Sequence, residues 1–325
     1  MQEPLVSVII PAYNHEKYVQ ESIHSIINQT YKNIELLVLD DGSKDNTWTK
    51  ICQMKELCEK RFVRVDFDAW QNQGICLTLN KMIDKAKGKY IYLIASDDLA
   101  KPAAIQKQVD FLESNSEYGQ VMGDNEIIDD NSCRVFWDKD RKNIADESKA
   151  VYKTFAQFLQ KERPDVDFHC ENFGSYESLI KGGNYIPNGN LFVRNIILDA
   201  GKYQKNAPLE DWYINLQMSQ RCKIKFIDEI LFSYRWHSVN TAKDIKKLSE
   251  ISQQTFYYEL FYAPKTQKAI DVINEFNLYK KKHFLFFTIE RYRSQIERKK
   301  YLSVFNKKFL ISKKNIVFKK YDFEK

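Results

Sequence analysis

"VSVIIPAYNHEKYVQESIHSIINQTYKNIELLVLDDGSKDNT", residues 6–47, changes its periodicity several times. Val6 to Ile10 is a short β-branched run that reads as a buried strand. Val19, Ile23, Ile26 and Ile27 then fall at helical spacing, and Asn14 stands where a cap is expected. Ile34 to Asp40 is a second strand. A helix is expected after the Asp- and Gly-containing turn, with Trp48 and Ile51 on its apolar side.

The alternation continues outward. "RFVRVDF" (61–67) reads as a third strand. Ile75, Leu79, Met82, Ile83 and Ala86 mark a helix that Gly88 is expected to stop. "YIYLIA" (90–95) is a fourth strand. Strand–helix alternation of this kind predicts an α/β fold with a doubly wound, mainly parallel sheet covered on both faces. Ligands of such sheets sit at the carboxyl ends of the strands. Three strand ends, "PAYN", "DDGS" and "ASDD", are therefore expected to open onto one crevice.

From about Asn115 the periodicity loosens. "DKDRKNIADES" reads as an exposed charged loop, and "VYKTFAQFLQK" as a short amphipathic helix carrying Val151, Phe155, Phe158 and Leu159. "GGNYIPNGNLFV" is rich in turn residues and then becomes a strand. "LEDWYINLQMSQ" reads as a helix with acids in its first turn, and "KIKFIDEILFSYRWHS" as one or two strands. After Asp244 the sequence looks helical. The expected division is 1–243 as a catalytic domain, split near residue 115, and 244–325 as a helical basic extension.

Bulk properties narrow the class. The chain has 325 residues, 43% hydrophobic and 29% charged, as a soluble globular protein does. No apolar run reaches the roughly 18 residues of a membrane span. No secretory signal is expected, since "LVSVIIPAYN" follows the start almost at once. Six cysteines form no C-x-x-C pair, which argues against a zinc ribbon or dithiol site and for reduced thiols. The net charge is +6, but residues 276–325 alone hold 15 Lys+Arg against 4 Asp+Glu. A mildly acidic body with a basic tail points to an anionic surface.

Residues 6–47 closely resemble the opening of family-2 glycosyltransferases, metal-dependent enzymes with a nucleotide-sugar-binding α/β fold. The resemblance runs on through "QNQGICLTLNKMIDKAKGKYIYLIASDD", "PLEDWYINLQ" and "YRWHSVNT", covering roughly Val6 to Thr241. It implies a GT-A type fold and a set of site residues. Pro11, Ala12, Tyr13 and Asn14 would line the nucleotide. Asp40 or Asp41 would read the base or ribose. Asn72, Gly74 and Asn80 match the donor-binding stretch.

At "ASDD" a bound Mn²⁺ or Mg²⁺ would reconcile carboxylates with a diphosphate. The family commonly has an acid where this chain has Ser96. That leaves Asp98 as the expected ligand, with Asp97 supporting it or facing the sugar. His237 is expected on the metal or diphosphate, and Arg235 on phosphate. Asp211 would be the general base of an inverting displacement.

The implied donor is a UDP-hexose or UDP-N-acetylhexosamine first, and dTDP-rhamnose second. The implied acceptor is a cell-surface polysaccharide, lipooligosaccharide or lipid-linked oligosaccharide. The basic, aromatic tail suggests a peripheral protein on the cytoplasmic face of the inner membrane. Nucleic acid is a poorer partner, and pairing of two chains through the tail is open. Two other readings compete: a non-catalytic glycan-binding relative and a sugar-1-phosphate nucleotidyltransferase. The second should open with a Gly-rich loop, and "PAYNHEKY" has no glycine. A dinucleotide-dependent oxidoreductase lacks its G-x-G-x-x-G after the first strand.

Overall fold

In the computed structural model the described residues are 3–164, 166–238, 240–261, 266–267 and 269–274. The chain divides into two compact units, residues 1–264 and 265–325. The basic stretch 276–325, with the membrane-surface and pairing expectations attached to it, lies outside the described residues. In the second unit, Thr266 Oγ1 accepts the Ala269 N–H at 3.3 Å, and Gln267 Nε2 donates to Asp271 Oδ1 at 2.9 Å.

The first unit opens with the expected alternation. It runs β1 (Val6–Ala12), α1 (Val19–Ile27), β2 (Ile34–Asp40), α2 (Thr47–Gln53), α3 (Lys55–Arg61), β3 (Arg64–Ala69), α4 (Ile75–Lys85) and β4 (Tyr90–Leu93). Next come β5 (Leu99–Ala100), α5 (Ala104–Ser114), β6 (Tyr118–Ile128), β7 (Arg134–Trp137), β8 (Asn143–Ile144) and α6 (Phe155–Glu162). The unit continues with α7 (Tyr176–Gly182), β9 (Leu191–Val193), α8 (Arg194–Asp199), α9 (Glu210–Ser219), β10 (Lys223–Arg235) and α10 (Ile245–Phe261). The expected boundary at 243 falls inside this unit. There, Thr255 Oγ1 on α10 accepts the Leu209 N–H at 2.9 Å, just before α9.

One sheet joins the strands in the order β3-β2-β1-β4-β9-β6-β10-β5, with β7 on β6 and β8 on β7. The first four run parallel. β9 runs against both its neighbours, β6 and β10 run parallel to each other, and β5 closes the edge antiparallel. The sheet is therefore mainly parallel, as expected. Register sets Ala12 beside Asp40 and Ile9 beside Leu93, so β1, β2 and β4 end on one edge. β5 pairs with Phe232 and Ser233, which draws the 94–98 turn toward the end of β10.

Burial explains why these segments became strands. Every residue of β2 is buried, and β1 is buried at six of its seven positions. A strand covered on both faces reads as a continuous apolar run. Ile10, Ile23 and Ile26 are among its fully buried core residues. Each side chain of this size contributes about 1.5–3 kcal/mol by leaving water. A second, aromatic cluster gathers Trp137, Tyr152 and Trp236, with Phe155, Phe158 and Tyr234 against it.

Several expectations need correcting. Asn14 caps no helix: it sits at φ 54°, and α1 begins five residues later. Gly88 does not stop α4, which ends at Lys85. A Cβ at Gly88 would come within 2.7 Å of Leu5 O and Ser7 N, so glycine is needed there for close approach to the chain entering β1. Val151 is exposed and precedes α6, whose cap is Thr154. β6, eleven residues long, lies where the periodicity of the sequence loosens. Among the described residues no helix is long and apolar enough to cross a membrane.

Candidate active site

The loops after β1 and β2 are zipped together by hydrogen bonds running both ways. Asn14 N–H donates to Ser43 Oγ at 2.8 Å, and Lys44 N–H to Asn14 Oδ1 at 2.8 Å. His15 N–H donates to Thr47 Oγ1 at 2.8 Å, and Glu16 N–H to Asp45 Oδ2 at 3.1 Å. These bonds fix the backbone of His15 at the carboxyl edge of the sheet. Its ring is fixed by Ser96, whose Oγ lies 2.8 Å from His15 Nδ1.

That leaves His15 Nε2 3.8 Å from Asp97 Oδ2. From beyond β10, His237 Nε2 donates to the same oxygen at 2.9 Å. His15, Asp97 and His237 each present one ligand atom, all within 4.8 Å of one another. Asp97 and His237 are buried, while the His15 side chain stays 21% exposed and gives the group its access. A carboxylate only accepts, so His237 Nε2 carries the proton and Nδ1 presents a lone pair. That Nδ1 is buried without a hydrogen-bond partner among the described residues. Two imidazoles with one carboxylate are a donor set that fits a divalent transition-metal ion.

Electrostatics agree with this fit. Burial alone would raise the Asp97 carboxyl, but the His237 hydrogen bond and the nearby imidazoles outweigh it and hold it below the ordinary value. Burial lowers the His15 imidazole against the pull of Asp97, which favours the neutral, ligating form.

Asp98, expected to ligate, lies outside this group. Its Oδ1 accepts the Arg235 N–H at 2.8 Å. Burial, then the charge of Asp97, pushes its carboxyl well above the ordinary range. Asp98 thus pins the end of β10 and sets His237 two residues on. Arg235, expected at a phosphate, is fully buried. Its Nε donates to Asp97 O at 2.6 Å, and its two terminal nitrogens reach Asp129 O, Ser132 Oγ and Glu21 Oε2 at 2.9, 2.9 and 2.7 Å. With those donors committed, Arg235 braces the 94–98 turn, the β6–β7 turn and α1, and offers no surface to a phosphate.

The other expected nucleotide contacts divide. Pro11 and Ala12 close β1, where Ala12 O accepts the Asp41 N–H at 2.8 Å, and the Tyr13 ring is 42% exposed beyond it. Asp40 Oδ1 accepts from the Ser43 N–H and Oγ–H at 3.1 and 2.5 Å. Asp41 accepts from Trp70 Nε1 and the Gln73 N–H on one oxygen, and from the Gly74 N–H on the other, at 2.8, 2.9 and 3.0 Å. Its carboxylate thereby holds the 70–74 loop. Gly42 makes that approach possible: at φ 74°, a Cβ there would meet Asn72 N at 2.6 Å. Asn72 is exposed beside it. Asn80 donates to Tyr203 O and accepts the Tyr203 N–H, both at 2.9 Å, so its amide is spent on the backbone.

Glu210 and Asp211 start α9. Asp211 Oδ1 accepts the Trp212 N–H at 2.6 Å, and Oδ2 accepts Asn184 Nδ2 at 2.8 Å. Burial raises the Asp211 carboxyl despite these donors. Burial, then Asp211, pushes Glu210 up to about 8. The Tyr234 phenol is held neutral first by burial and then by Asp98, Asp97 and Asp211, so it senses both acidic groups.

Residues 7–181, more than half of the chain, match the model of the glycosyl transferase family 2, whose description is "Glycosyl transferase family 2". The chain belongs to this family. An uncharacterized glycosyltransferase of Haemophilus influenzae is 31% identical over 283 residues, covering 85% of this chain and 79% of its own. The fold recurs in the mannosyltransferase PcManGT of Pyrobaculum calidifontis, solved with GDP-Man and Mn²⁺. That likeness has TM-score 0.61 and 14% identity over 84% of this chain and 69% of that one. It recurs in TarS 1–349 of S. aureus with UDP-GlcNAc, at TM-score 0.57 and 16% identity over 87% of this chain and 73% of that one.

As a family-2 glycosyltransferase, the chain brings together some residues its sequence singles out and omits others. Ser96, Asp97 and His237 meet at one point; Asp98, Arg235 and Asn80 serve the scaffold. His15 and Asn184 went unrecognised. His15 had a readable signal, because it directly follows the first strand-end turn, at the edge where ligands bind. Asn184 had none, since nothing in "GGNYIP" marks a contact with a residue 27 positions later.

Proposed function

We propose that this family-2 glycosyltransferase moves a sugar from a nucleotide-diphospho-sugar to a hydroxyl of a glycan acceptor, with inversion. The carrying observation is that a metal-fitting group and a buried carboxyl both act on the Tyr234 phenol. One is the His15–Asp97–His237 group; the other is Asp211, a buried carboxyl at a helix start with a raised pKa. A divalent ion held by His15, Asp97 and His237 would supply positive charge to the departing diphosphate. The mixed nitrogen and oxygen donors favour Mn²⁺ over Mg²⁺, which suits oxygen ligands. The Mn²⁺ bound to the Pyrobaculum relative of this fold supports the same reading.

Asp211 acts on the other side of the reaction. Its carboxylate takes the proton of the acceptor hydroxyl as that oxygen bonds to the anomeric carbon. The anomeric C–O bond breaks at the same time, and the nucleoside diphosphate leaves with its electron pair. A carboxyl of raised pKa is the stronger base for this transfer. Base and leaving group on opposite faces give inversion. Tyr13, exposed beside Asp40, is the ring available to a nucleobase.

UDP-hexose or UDP-N-acetylhexosamine is the first donor, supported by the UDP-GlcNAc complex of TarS, and dTDP-rhamnose the second. The acceptor is proposed as a cell-surface or lipid-linked saccharide, in keeping with the basic stretch 276–325. A donor screen tests this. The chain is incubated with UDP-glucose, UDP-galactose, UDP-GlcNAc, UDP-GalNAc or dTDP-rhamnose, with Mn²⁺, Mg²⁺ or EDTA. Released nucleoside diphosphate and thermal shift are read together. Release or stabilisation by one donor, larger with Mn²⁺ and absent with EDTA, is expected. Folded protein that responds to no donor under any condition contradicts the proposal.

A further inference from the structure

Asp211 is the end of a line of amides. Gln120 Nε2, on β6, donates to Asn215 Oδ1, on α9, at 2.7 Å. Asn215 Nδ2 donates to Asn184 Oδ1, in the turn after α7, at 3.1 Å. Asn184 Nδ2 donates to Asp211 Oδ2 at 2.8 Å. Gln120 and Asn215 are buried, so no water competes for these bonds along most of the line.

The direction is set by chemistry. An ionised carboxylate only accepts, so Asn184 must turn its NH₂ toward Asp211 and its oxygen toward Asn215. Asn215 must then donate and present its own oxygen to Gln120. Gln120 also donates to Asn190 Oδ1 at 2.8 Å, which anchors the far end. Each donor polarises the next, and the chain delivers its partial positive charge to Asp211.

We propose that Asn184, backed by Asn215 and Gln120, is a positioning residue that keeps Asp211 ionised and aimed in its buried setting. The consequence for transfer rests on Asp211 being the base, as proposed above; the hydrogen-bond relay itself does not. The neighbours make such help necessary. Glu210 lies beside Asp211 as a second acid, and Tyr203 and Tyr234 face it as neutral phenols. Cys76, itself raised by burial and by Glu210, brings no positive charge. Burial disfavours the Asp211 anion; the Trp212 N–H and Asn184 favour it.

The test follows the carboxyl directly. The full chain is labelled with carbon-13 in aspartate carboxyl groups, in EDTA. The Asp211 resonance is assigned by its loss in Asp211→Asn and followed through pH. Losing one donor to a charged acceptor shifts such a group by about one to two pH units. Asn184→Ala should raise the midpoint by that much. Asn215→Leu, which removes the second link and leaves the first, should raise it by less. Melting curves confirm folding, and Asn215→Leu carries the test if Asn184→Ala does not fold. Midpoints within a few tenths of a unit of the unsubstituted chain would overturn the proposal. Full turnover by Asp211→Asn would instead remove the base assignment and leave the measured midpoints standing.

Discussion

His15 reaches the metal-fitting group because it is held from two sides. Thr47 fixes its backbone, and Ser96 fixes its ring, each at 2.8 Å. In the proposed site His15, from a different loop, is one of the two imidazoles, and Ser96 orients its ring. His15→Ala should weaken Mn²⁺ binding by about 10- to 100-fold, read as the Mn²⁺ concentration that half-saturates the thermal shift. Equal Mn²⁺ affinity in the two proteins would exclude His15 as a ligand. This site was only half legible. "ASDD" gave the place, but which aspartate faces inward depends on how the turn meets Arg235. That contact, 137 residues away in sequence, leaves no local pattern.

At the scale of elements, β6 and α9 show where polar residues hide structure. β6 buries Gln120, Asp124, Asn125 and Glu126, which breaks the apolar run a buried strand normally shows. Each finds at least one partner instead: Gln120 in Asn215, Asp124 in the Ala156 N–H, Asn125 in Asn188 O, and Glu126 in Lys101 and Ser233. β1 and β2 each bury a polar residue too, Ser7 and Glu35, which hydrogen-bond to each other, but the apolar residues around them still form a readable run. In α9 the two first-turn acids look like ordinary dipole partners, worth about 0.3–1 kcal/mol each. Burial outweighs that and lifts Glu210 to about 8, from an ordinary value of 4.5. A carboxyl raised in the fold stabilises fully below its unfolded value and loses that contribution as pH rises through the folded one. The melting temperature should therefore fall between pH 5 and 8.5, and fall less in Glu210→Gln. At roughly 2–4 °C per kcal/mol, a gap of several degrees is expected at the upper pH. Parallel melting curves across that range would show that Glu210 does not titrate there.

For the whole molecule, the sheet brings its chemistry to one edge from four separate stretches of chain. "PAYNH", "ASDD", "LEDW" and "YRWH" lie far apart in sequence and are gathered by the parallel strands and by β10. The alternation in the first hundred residues made the sheet legible; β9 was readable as a short strand after "GGNYIPNGN", but not its antiparallel place between β4 and β6. The charge of 276–325 belongs to this scale too. If it meets an anionic membrane surface, as proposed, the full chain should sediment with phosphatidylglycerol vesicles, remain free of phosphatidylcholine vesicles, and release as salt rises. Equal partition to both vesicle types would remove lipid charge as the attraction. The most direct measurement is the kinetics of Asp211→Asn with the donor found by the screen. Transfer should fall by about 10²- to 10⁴-fold while donor affinity and its Mn²⁺ dependence stay unchanged. Transfer at the unsubstituted rate would contradict the assignment of Asp211 as the base.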